Sequence, residues 1–308
     1  MTDSAATVLD AALPLLQCPH CHGAVYRVLP AAVGCGNGHR FDVARQGYLS
    51  LLGSRSRTDT GDTADMVAAR AAFLGADHYR PVAQAVASMV ARGPVLEIGA
   101  GTGYYLSAVL DRLAGTGERP LGIALDASRY AARRAAANPA TASIVADAWS
   151  RLPVMDRGVG AVLSVFAPRD PAEIARVLTP GGRLVVVTPE PEHLTEIRST
   201  LGLLAVDPGK PDRLVEAFSG HLAIVDRGQV HREMRLGPED VSALVRMGPS
   251  ARHVQADALS VAVAALPDIT SVTLSVTISV FERPADLRVS SSGIGIGRLI
   301  PGGEPPPS

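Results

Sequence analysis

Residues 94–106 read PVLEIGAGTGYYL, an apolar run followed by a glycine-rich turn and a segment that favours helix. A dinucleotide-binding turn needs a small residue at position 104, where the helix packs on the strand, but Tyr104 occupies it. A phosphate-binding P-loop needs Gly-Lys-Ser/Thr, and the chain's only lysine is Lys210. The remaining pattern, a glutamate followed by alternating glycines, predicts a turn whose backbone closely approaches a bound ligand.

The alternation of short apolar runs and helical segments continues beyond this turn. The runs are PLGIALD, ASIVAD, VGAVLSVF and RLVVVTP, and the helical segments are Tyr104–Leu113, Arg129–Ala137 and Pro171–Leu178. This order predicts an α/β fold with a doubly wound, mostly parallel sheet. Residues 180–182, Pro-Gly-Gly, are expected to form a turn before the last of these strands. The alternating run 271–283, SVTLSVTISVFER, is expected to be an antiparallel strand with one exposed face.

Carboxylates close the second and third apolar runs. Asp126 ends the second run and Asp147 the third, so that with Glu97 they form an ordered set at successive strand ends. Open α/β sheets bind ligands at this edge. An acid at position 126 can accept both hydroxyls of a ribose. Asp147 with Ala148 lies where a fold of this kind usually binds an adenine. The alternative for Asp126 and for Asp147 is a helix N-cap or turn residue.

Metal ligands are concentrated in residues 18–39, CPHCHGAVYRVLPAAVGCGNGH, which hold all three cysteines of the chain. A C-x2-C pair and a C-x3-H pair supply four ligands at zinc spacing: Cys18, Cys21, Cys35 and His39. Three thiolates and one imidazole fill a tetrahedral shell, so the predicted Zn²⁺ site is structural rather than catalytic. His20 and His22 are competing fourth ligands. A redox pair is the other alternative, although no thioredoxin-like unit surrounds these cysteines.

The composition is that of an ordinary globular protein, with 308 residues, 47% hydrophobic residues and a net charge of −1. No apolar run reaches the ~18 residues of a membrane span, and the N-terminus lacks the basic start of a signal peptide. We therefore expect no membrane association and a cytoplasmic protein. Between positions 17 and 60, five arginines oppose two aspartates: Arg27, Arg40, Arg45, Arg55 and Arg57 against Asp42 and Asp59. This local charge fits either a nucleic-acid-binding patch or a solvated arm.

These features divide the chain into four parts. Residues 1–50 form a zinc-binding domain that would recognise RNA, 51–92 a loop and helical linker, 93–283 the α/β domain, and 284–308 a disordered tail rich in Gly, Pro and Ser. Within the linker, Asp62 or Thr63 is expected to cap a helix over Met66–Leu74, and Pro81 to begin the next helix. A further helix is expected around Pro238–Met247.

Several motifs in this order resemble the RlmA-type methyltransferases. They are the zinc knuckle, RFDVARQGYLSLL, GDTADMVAARAAFLGADHYRP, EIGAGTGYYL, FAPRDPAEIARVLTPGGRL, TPEPEHL and MGPSARH, and the resemblance extends from Cys18 to about Arg283. The glycine turn itself resembles the first motif of class I S-adenosylmethionine-dependent methyltransferases. The resemblance implies S-adenosyl-L-methionine and Zn²⁺ as cofactors, and methylation of N1 of a guanine in a hairpin of 23S ribosomal RNA. It also implies a homodimer and, for the actinobacterial branch, a link to resistance against tylosin-like macrolides.

The resemblance assigns zinc ligation to the four residues named above. It implies cofactor contacts from Tyr79, Gly101, Thr102 and His193. Together with the glycine turn and the strand-end acids, the predicted cofactor set is Tyr79, Glu97, Gly99, Gly101, Thr102, Gly103, Asp126, Asp147, Ala148 and His193. This chain has Ala-Gly-Thr at positions 100–102 where other members carry Cys-Gly-Glu, so the side chain at position 102 differs.

Methyl transfer to guanine N1 requires that the N1 proton be removed. His193 and Asp170 are the candidate catalytic bases. Phe166 follows the fourth strand and is expected either to stack on a base or to pack in the core. Two alternative functions stay open: a small-molecule methyltransferase that carries a zinc ribbon, and a zinc-ribbon RNA-binding protein with a vestigial cofactor site.

Overall fold

The computed structural model describes residues 3–53, 61–117, 119–203, 207, 209–248, 251 and 255–284. The chain begins with helix α1 (Asp3–Ala12) and a short 3-10 helix (Leu13–Leu15). A small antiparallel sheet follows, in the order β1 (Val25–Leu29), β2 (Ala32–Cys35), β3 (Arg40–Asp42). Every residue of the central strand β2 is buried, so this sheet is built around the segment that joins the two predicted ligand pairs.

An eight-stranded sheet forms the centre of the fold. Its strands are β4 (Leu49–Ser50), β5 (Val95–Ile98), β6 (Gly122–Asp126), β7 (Thr141–Val145), β8 (Val159–Val165), β9 (Leu178–Pro189), β10 (Ala223–Leu236) and β11 (Thr270–Glu282). In space they follow the order β10–β11–β9–β8–β5–β6–β7–β4. All neighbours from β9 to β4 are parallel, whereas β10 and β11 are antiparallel. The predicted doubly wound, mostly parallel α/β sheet is confirmed.

The helices connect and cover this sheet. They are α2 (Ala64–Gly75), α3 (Arg80–Met89), α4 (Tyr104–Ala114), α5 (Arg129–Ala135), α6 (Pro171–Val177), α7 (Thr195–Arg198), α8 (Lys210–Phe218), α9 (Pro238–Arg246) and α10 (Ala256–Ala264). The predicted N-cap of α2 is Thr63, whose Oγ1 accepts a hydrogen bond from Met66 N at 3.3 Å. Pro81 lies in the first turn of α3, as predicted. Sequence patterns did not predict α1, α7, α8, α10 or β10.

Two details of the strands differ from the prediction. Residues 180–182 do not form a turn before β9 but a bulge within it, because Leu178 already pairs with Val159 before Arg183 pairs with Ala161. Within this bulge Gly181 has φ +69°, a backbone conformation that glycine adopts without steric cost. The expectation that the run 271–283 has one exposed face is also wrong. From Val276 to Phe281 both faces of β11 are buried, because Val276 and Ile278 lie in one hydrophobic core of the large sheet and Phe281 lies in the other.

Each face of the large sheet carries its own hydrophobic core. One core includes Phe73 of α2 and Val82 of α3, so these two helices pack on the sheet. The other core joins Cys18 and Val33 of the small sheet to Leu96 of β5. Strand β4, which lies within residues 1–50, pairs with β7 of the large sheet. The N-terminal region is therefore anchored on the α/β sheet.

The predicted tail, residues 284–308, lies outside the described residues except for Pro284. Within the described ranges, none of the helices is both long and apolar enough to cross a bilayer.

Candidate metal centre and cofactor cleft

Four side chains of the small sheet meet at one point. The Sγ atoms of Cys18 and Cys35 lie 3.5 and 3.3 Å from His39 Nδ1, and the Sγ atoms of Cys21 and Cys35 are 3.6 Å apart. All four donor atoms lie within 4.8 Å of one another. Zinc bonds of 2.0–2.3 Å in a tetrahedron require donor separations of roughly 3.3–3.8 Å, so the cluster fits Zn²⁺.

Two tight turns bring these ligands together. In the first, the His22 backbone N–H donates to the Cys18 carbonyl at 2.9 Å, and in the second the Gly38 N–H donates to the Cys35 carbonyl at 3.0 Å. Gly38 has φ +82°, which a residue with a side chain rarely adopts. His20 and His22 are not part of the four-residue cluster. The His20 ring packs against the ring of His39, with centroids 4.9 Å apart, and stacks on Phe41, with centroids 5.8 Å apart.

The glycine turn after β5 is shaped by close backbone approach. Gly99, Gly101 and Gly103 all have positive φ, at +66°, +56° and +77°. A Cβ atom added at Gly99 would lie 2.7 Å from Ala167 Cβ, and one at Gly101 would lie 3.1 Å from Arg70 Cδ. The Gly101 N–H donates to Asp126 Oδ2 at 2.8 Å, which ties the turn to the end of β6. A side chain at either position would crowd these neighbouring residues.

A cleft of about 250 Å³ opens in front of this turn. Its lining residues come from the ends of β5, β6, β7 and β8, from α2 and from the segment before α2: Gly61, Asp62, Arg70, Gly99, Gly101, Asp126, Ala127, Asp147, Ala148, Trp149, Val165, Phe166, Ala167 and Pro168. Five residues of the predicted cofactor set therefore meet here: Gly99, Gly101, Asp126, Asp147 and Ala148. A smaller adjoining cavity is lined by Tyr79, Tyr104 and Tyr105, and by Gly99.

Three predicted cofactor residues lie behind the cleft. Glu97 is buried, and its Oε2 accepts the Leu106 N–H at 3.1 Å, so the side chain ties β5 to the first turn of α4. Gly103 is the N-cap of α4, and Thr102 precedes it. Burial raises the pKa of Glu97 to about 8, and the neighbouring Asp126 carboxylate acts in the same direction. Glu97 is therefore mostly protonated at neutral pH.

The raised pKa of Glu97 predicts a stability that falls with rising pH. The free energy of unfolding should fall as the pH rises from about 4.5 to about 8, because in this range the carboxyl group is ionised in the unfolded chain but still protonated in the folded protein. The glutamine of Glu97→Gln is neutral at every pH. The free energy of unfolding of this variant minus that of wild type should therefore be about 3 kcal/mol larger at pH 8 than at pH 5. Urea unfolding of both proteins across this range measures the effect. A stability difference that does not change with pH would contradict this account of Glu97.

Tyr79 and His193 form a buried hydrogen-bonded pair. His193 Nδ1 accepts the Ser275 backbone N–H at 3.2 Å, and Tyr79 Oη lies 3.3 Å from His193 Nε2. Burial lowers the pKa of His193 to about 4, so the ring is neutral at physiological pH. Since Nδ1 accepts a hydrogen bond, the neutral ring carries its proton on Nε2 and donates it to Tyr79. The Tyr79 hydroxyl then has its own proton free to donate.

The second candidate base, Asp170, is the N-cap of α6. Its Oδ1 accepts the backbone N–H groups of Ala172 and Glu173 at 2.9 and 3.1 Å. Asp170 does not line the cleft. Phe166, by contrast, is 43% exposed, lines the cleft and has φ +52°, which is rare for an aromatic residue. Its ring is nearly parallel to that of His193, with centroids 6.2 Å apart.

Arg70 was not predicted from the sequence. Its Nη2 donates to Asp62 Oδ2 at 2.7 Å and to the Met247 carbonyl at 2.8 Å. Its Nε is buried and has no hydrogen-bond partner within the part of the chain that is described. Arg70 lines both the cleft and the adjoining cavity. A buried, partnerless N–H beside Gly101 would complement a ligand carboxylate.

These features fit S-adenosylmethionine. Gly99 and Gly101 line the cleft without side chains, Asp126 lies at the next strand end, and Arg70 Nε is a donor with no partner among the described residues. The fold of this chain is similar to that of the 4+2 cyclase SpnF in its crystal structure, with a TM-score of 0.50. The two sequences are 16% identical, and the match covers 76% of this chain and 99% of the SpnF chain. The fold and site together define a class I S-adenosylmethionine-dependent methyltransferase with an N-terminal zinc ribbon.

The sequence comparisons identify the family. The family model of the RlmA N-terminal zinc ribbon matches residues 16–57. The 23S rRNA (guanine(748)-N(1))-methyltransferase of Streptomyces fradiae is 44% identical over 86% of this chain and 95% of its own length. A Micromonospora griseorubida protein, provisionally named a 23S rRNA (guanine-N1)-methyltransferase, is 41% identical over 87% of this chain and 97% of its own. The chain belongs to the family of 23S rRNA (guanine-N1)-methyltransferases.

Proposed function

We propose that this enzyme methylates N1 of a guanine in a hairpin loop of 23S rRNA, at the position that corresponds to guanine 748 of the Streptomyces fradiae substrate. The observation that carries the proposal is the 44% identity to that enzyme over nearly its whole length. The enzyme would act in the cytoplasm on ribosomal RNA or its precursors, as a homodimer. Resistance to tylosin-like macrolides would be one consequence of this modification.

Different residues of the cleft would contact different parts of the cofactor. When bound, S-adenosylmethionine supplies a methyl group activated by its positively charged sulfur. Asp126 would accept the ribose hydroxyls, and Asp147 and Ala148 would contact the adenine. Arg70 would pair with the amino-acid carboxylate, because its Nε lies beside Gly101 and has no hydrogen-bond partner among the described residues. Most of the rate acceleration would then come from alignment of the guanine with the cofactor.

His193 acts in this proposal as a positioning group rather than as a base. Its Nδ1 already accepts the Ser275 N–H, and a ring with a pKa of about 4 has little tendency to take up a proton near pH 7. It orients Tyr79 so that the phenolic proton can be donated to the cofactor. Asp170 is occupied as a helix cap and is not proposed as the base.

The zinc module would hold the RNA backbone. Tyr26 and Leu29 of β1 are exposed, and so are Arg40 and Arg45. Arg27 is less available, because it forms an ion pair of 2.7 Å with Asp10 of α1. Arg55 and Arg57 lie outside the described residues. Arginines on a closed zinc module fit phosphate contacts, which supply most of the affinity for RNA without reading its sequence.

We expect the substitution Arg70→Gln to weaken binding of S-adenosylhomocysteine about tenfold, since it removes a charge-assisted contact to the carboxylate. Binding of methylthioadenosine, which lacks the amino-acid portion, should stay within twofold of wild type. Calorimetric titration of both ligands measures the two constants. Equal losses for the two ligands would show that Arg70 acts through the general shape of the cleft and not through the carboxylate.

The proposed reaction can be tested with the purified protein and a transcript of the hairpin. Incubation with labelled S-adenosylmethionine, followed by nuclease digestion and mass spectrometry, should yield 1-methylguanosine. A transcript in which the target guanine is replaced by adenine should not be labelled. Cofactor binding without RNA binding would favour a small-molecule methyltransferase. RNA binding without cofactor binding would favour a zinc-ribbon protein with a vestigial site.

A further inference from the structure

Trp149 is the chain's only tryptophan, and 61% of it is exposed at the edge of the cofactor cleft. The loop that carries it is fixed. The Trp149 N–H donates to Asp147 Oδ1 at 2.9 Å, and Ser150 Oγ donates to Asp147 Oδ2 at 3.1 Å. Downstream, the Leu152 N–H donates to Glu173 Oε2 at 2.9 Å. The loop therefore holds a large aromatic ring in solvent, where most of its apolar surface is not buried by the fold.

A second aromatic group lies at the end of the neighbouring strand. Arg129 and Tyr130 begin α5, directly after β6, and both are exposed. The Arg129 guanidinium lies 5.0 Å from the centroid of the Tyr130 ring, and its Nη2 donates to Tyr130 Oη at 3.0 Å. Strands β6 and β7 are parallel neighbours, with Asp126 paired to Val145. Both groups consequently follow the carboxyl ends of adjacent strands, at the edge of the sheet where the cleft opens.

We propose that Arg129, Tyr130 and Trp149 form a stacking patch that binds the unpaired RNA bases next to the target guanine. The inference rests on the proposed function, because a hairpin loop supplies such bases. Exposed aromatic rings bind unpaired bases through their faces, and an arginine among them attracts the phosphates between those bases. A nearly neutral protein with net charge −1 needs such local contacts to bind RNA.

The exposure of Trp149 favours RNA over the cofactor as its occupant. The acids that would hold the nucleoside, Asp126 and Asp147, are half-buried and buried within the cleft. More than half of Trp149 instead faces outward at the cleft edge. An outward-facing ring can be covered by a macromolecular substrate without displacing the nucleoside.

The single tryptophan makes a direct test possible. Addition of the hairpin transcript to the wild-type enzyme should quench the intrinsic fluorescence, whereas S-adenosylhomocysteine alone should leave it nearly unchanged. Trp149→Ala should weaken RNA binding about tenfold and raise KM for RNA. Tyr130→Ala, at a patch residue that does not line the cofactor cleft, should also weaken RNA binding, with the affinity for S-adenosylhomocysteine preserved. Trp149→Phe should restore most of the RNA affinity. Val261→Ala, at a residue 73% exposed on α10 outside the patch, is the matched control and should change none of these values.

Quenching by S-adenosylhomocysteine without RNA would overturn the inference and make Trp149 part of the adenine site. Unchanged RNA affinity in Trp149→Ala, together with active methylation, would also overturn it while leaving the proposed function intact. If the wild-type enzyme neither binds nor methylates the hairpin, the proposed function itself fails.

Discussion

Replacing Gly101 with valine is expected to reduce affinity for S-adenosylmethionine more than a hundredfold and to abolish methyl transfer. Gly101 has φ +56°, a conformation that a β-branched residue almost never adopts. Its added side chain would also meet Arg70, whose Cδ lies 3.1 Å from the Cβ position. Any shift that relieves these contacts would disturb the 2.8 Å hydrogen bond from Gly101 N–H to Asp126. Calorimetric titration with S-adenosylhomocysteine measures the loss.

Gly75→Ala is the matched control for this substitution. Gly75 ends α2, and a Cβ atom there would meet nothing within 4 Å. The variant should bind the cofactor like wild type and should be equally stable or slightly more stable, because alanine favours helix. A Gly101→Val protein that keeps its melting temperature within a few degrees but loses cofactor binding would place the defect in the cleft. Retained cofactor affinity would contradict the site assignment.

Substitution of a zinc ligand is the second change for which a large effect is expected. His39→Ala should lower the bound zinc from one ion per chain to nearly none, because it removes one of four donors that lie within 4.8 Å of one another. The small sheet shares a hydrophobic core with the large one, so loss of zinc should also lower the melting temperature. RNA affinity should fall by more than tenfold. The expected order of defects is zinc content first, then RNA binding, with cofactor affinity least affected.

His20→Ala provides the control, because His20 has the same side chain and its ring packs against His39 and Phe41, but it is not one of the four donors of the cluster. This variant should keep a full complement of zinc, measured by atomic emission spectroscopy on dialysed protein. Zinc loss in His20→Ala together with zinc retention in His39→Ala would reverse the assignment of the fourth ligand.

The parts of the molecule that sequence could predict are those set by local pattern. The alternation of apolar runs and helices determines the parallel sheet, and the spacing of the cysteines determines the metal cluster. The proximity of the glycine turn to Asp126 could be predicted, because Gly101 and Asp126 follow strands that are neighbours in the chain and in the sheet. These features depend on residues that are close in sequence or are placed by the order of strands.

Other features depend on tertiary contacts that no local pattern encodes. Arg70 reaches the glycine turn from α2, and its partner Met247 lies 177 positions away in the chain. The contact between Tyr79 and His193 joins residues 114 positions apart, and it is the His193–Ser275 bond that decides which nitrogen carries the proton. The burial of both faces of β11 likewise depends on tertiary packing, because Val276 and Ile278 lie in one hydrophobic core and Phe281 in the other, and the alternation of the strand does not show that both faces are covered.

Primer extension on 23S rRNA from a strain that lacks this gene tests the central claim most directly. Methylation at N1 blocks the pairing edge of guanine and stops reverse transcriptase. We expect one stop in the parent strain to disappear in the deletion strain, and to return when the wild-type gene but not the Gly101→Val gene is supplied. A stop pattern that is identical in the parent and deletion strains would contradict the assignment of this protein as a 23S rRNA guanine-N1 methyltransferase.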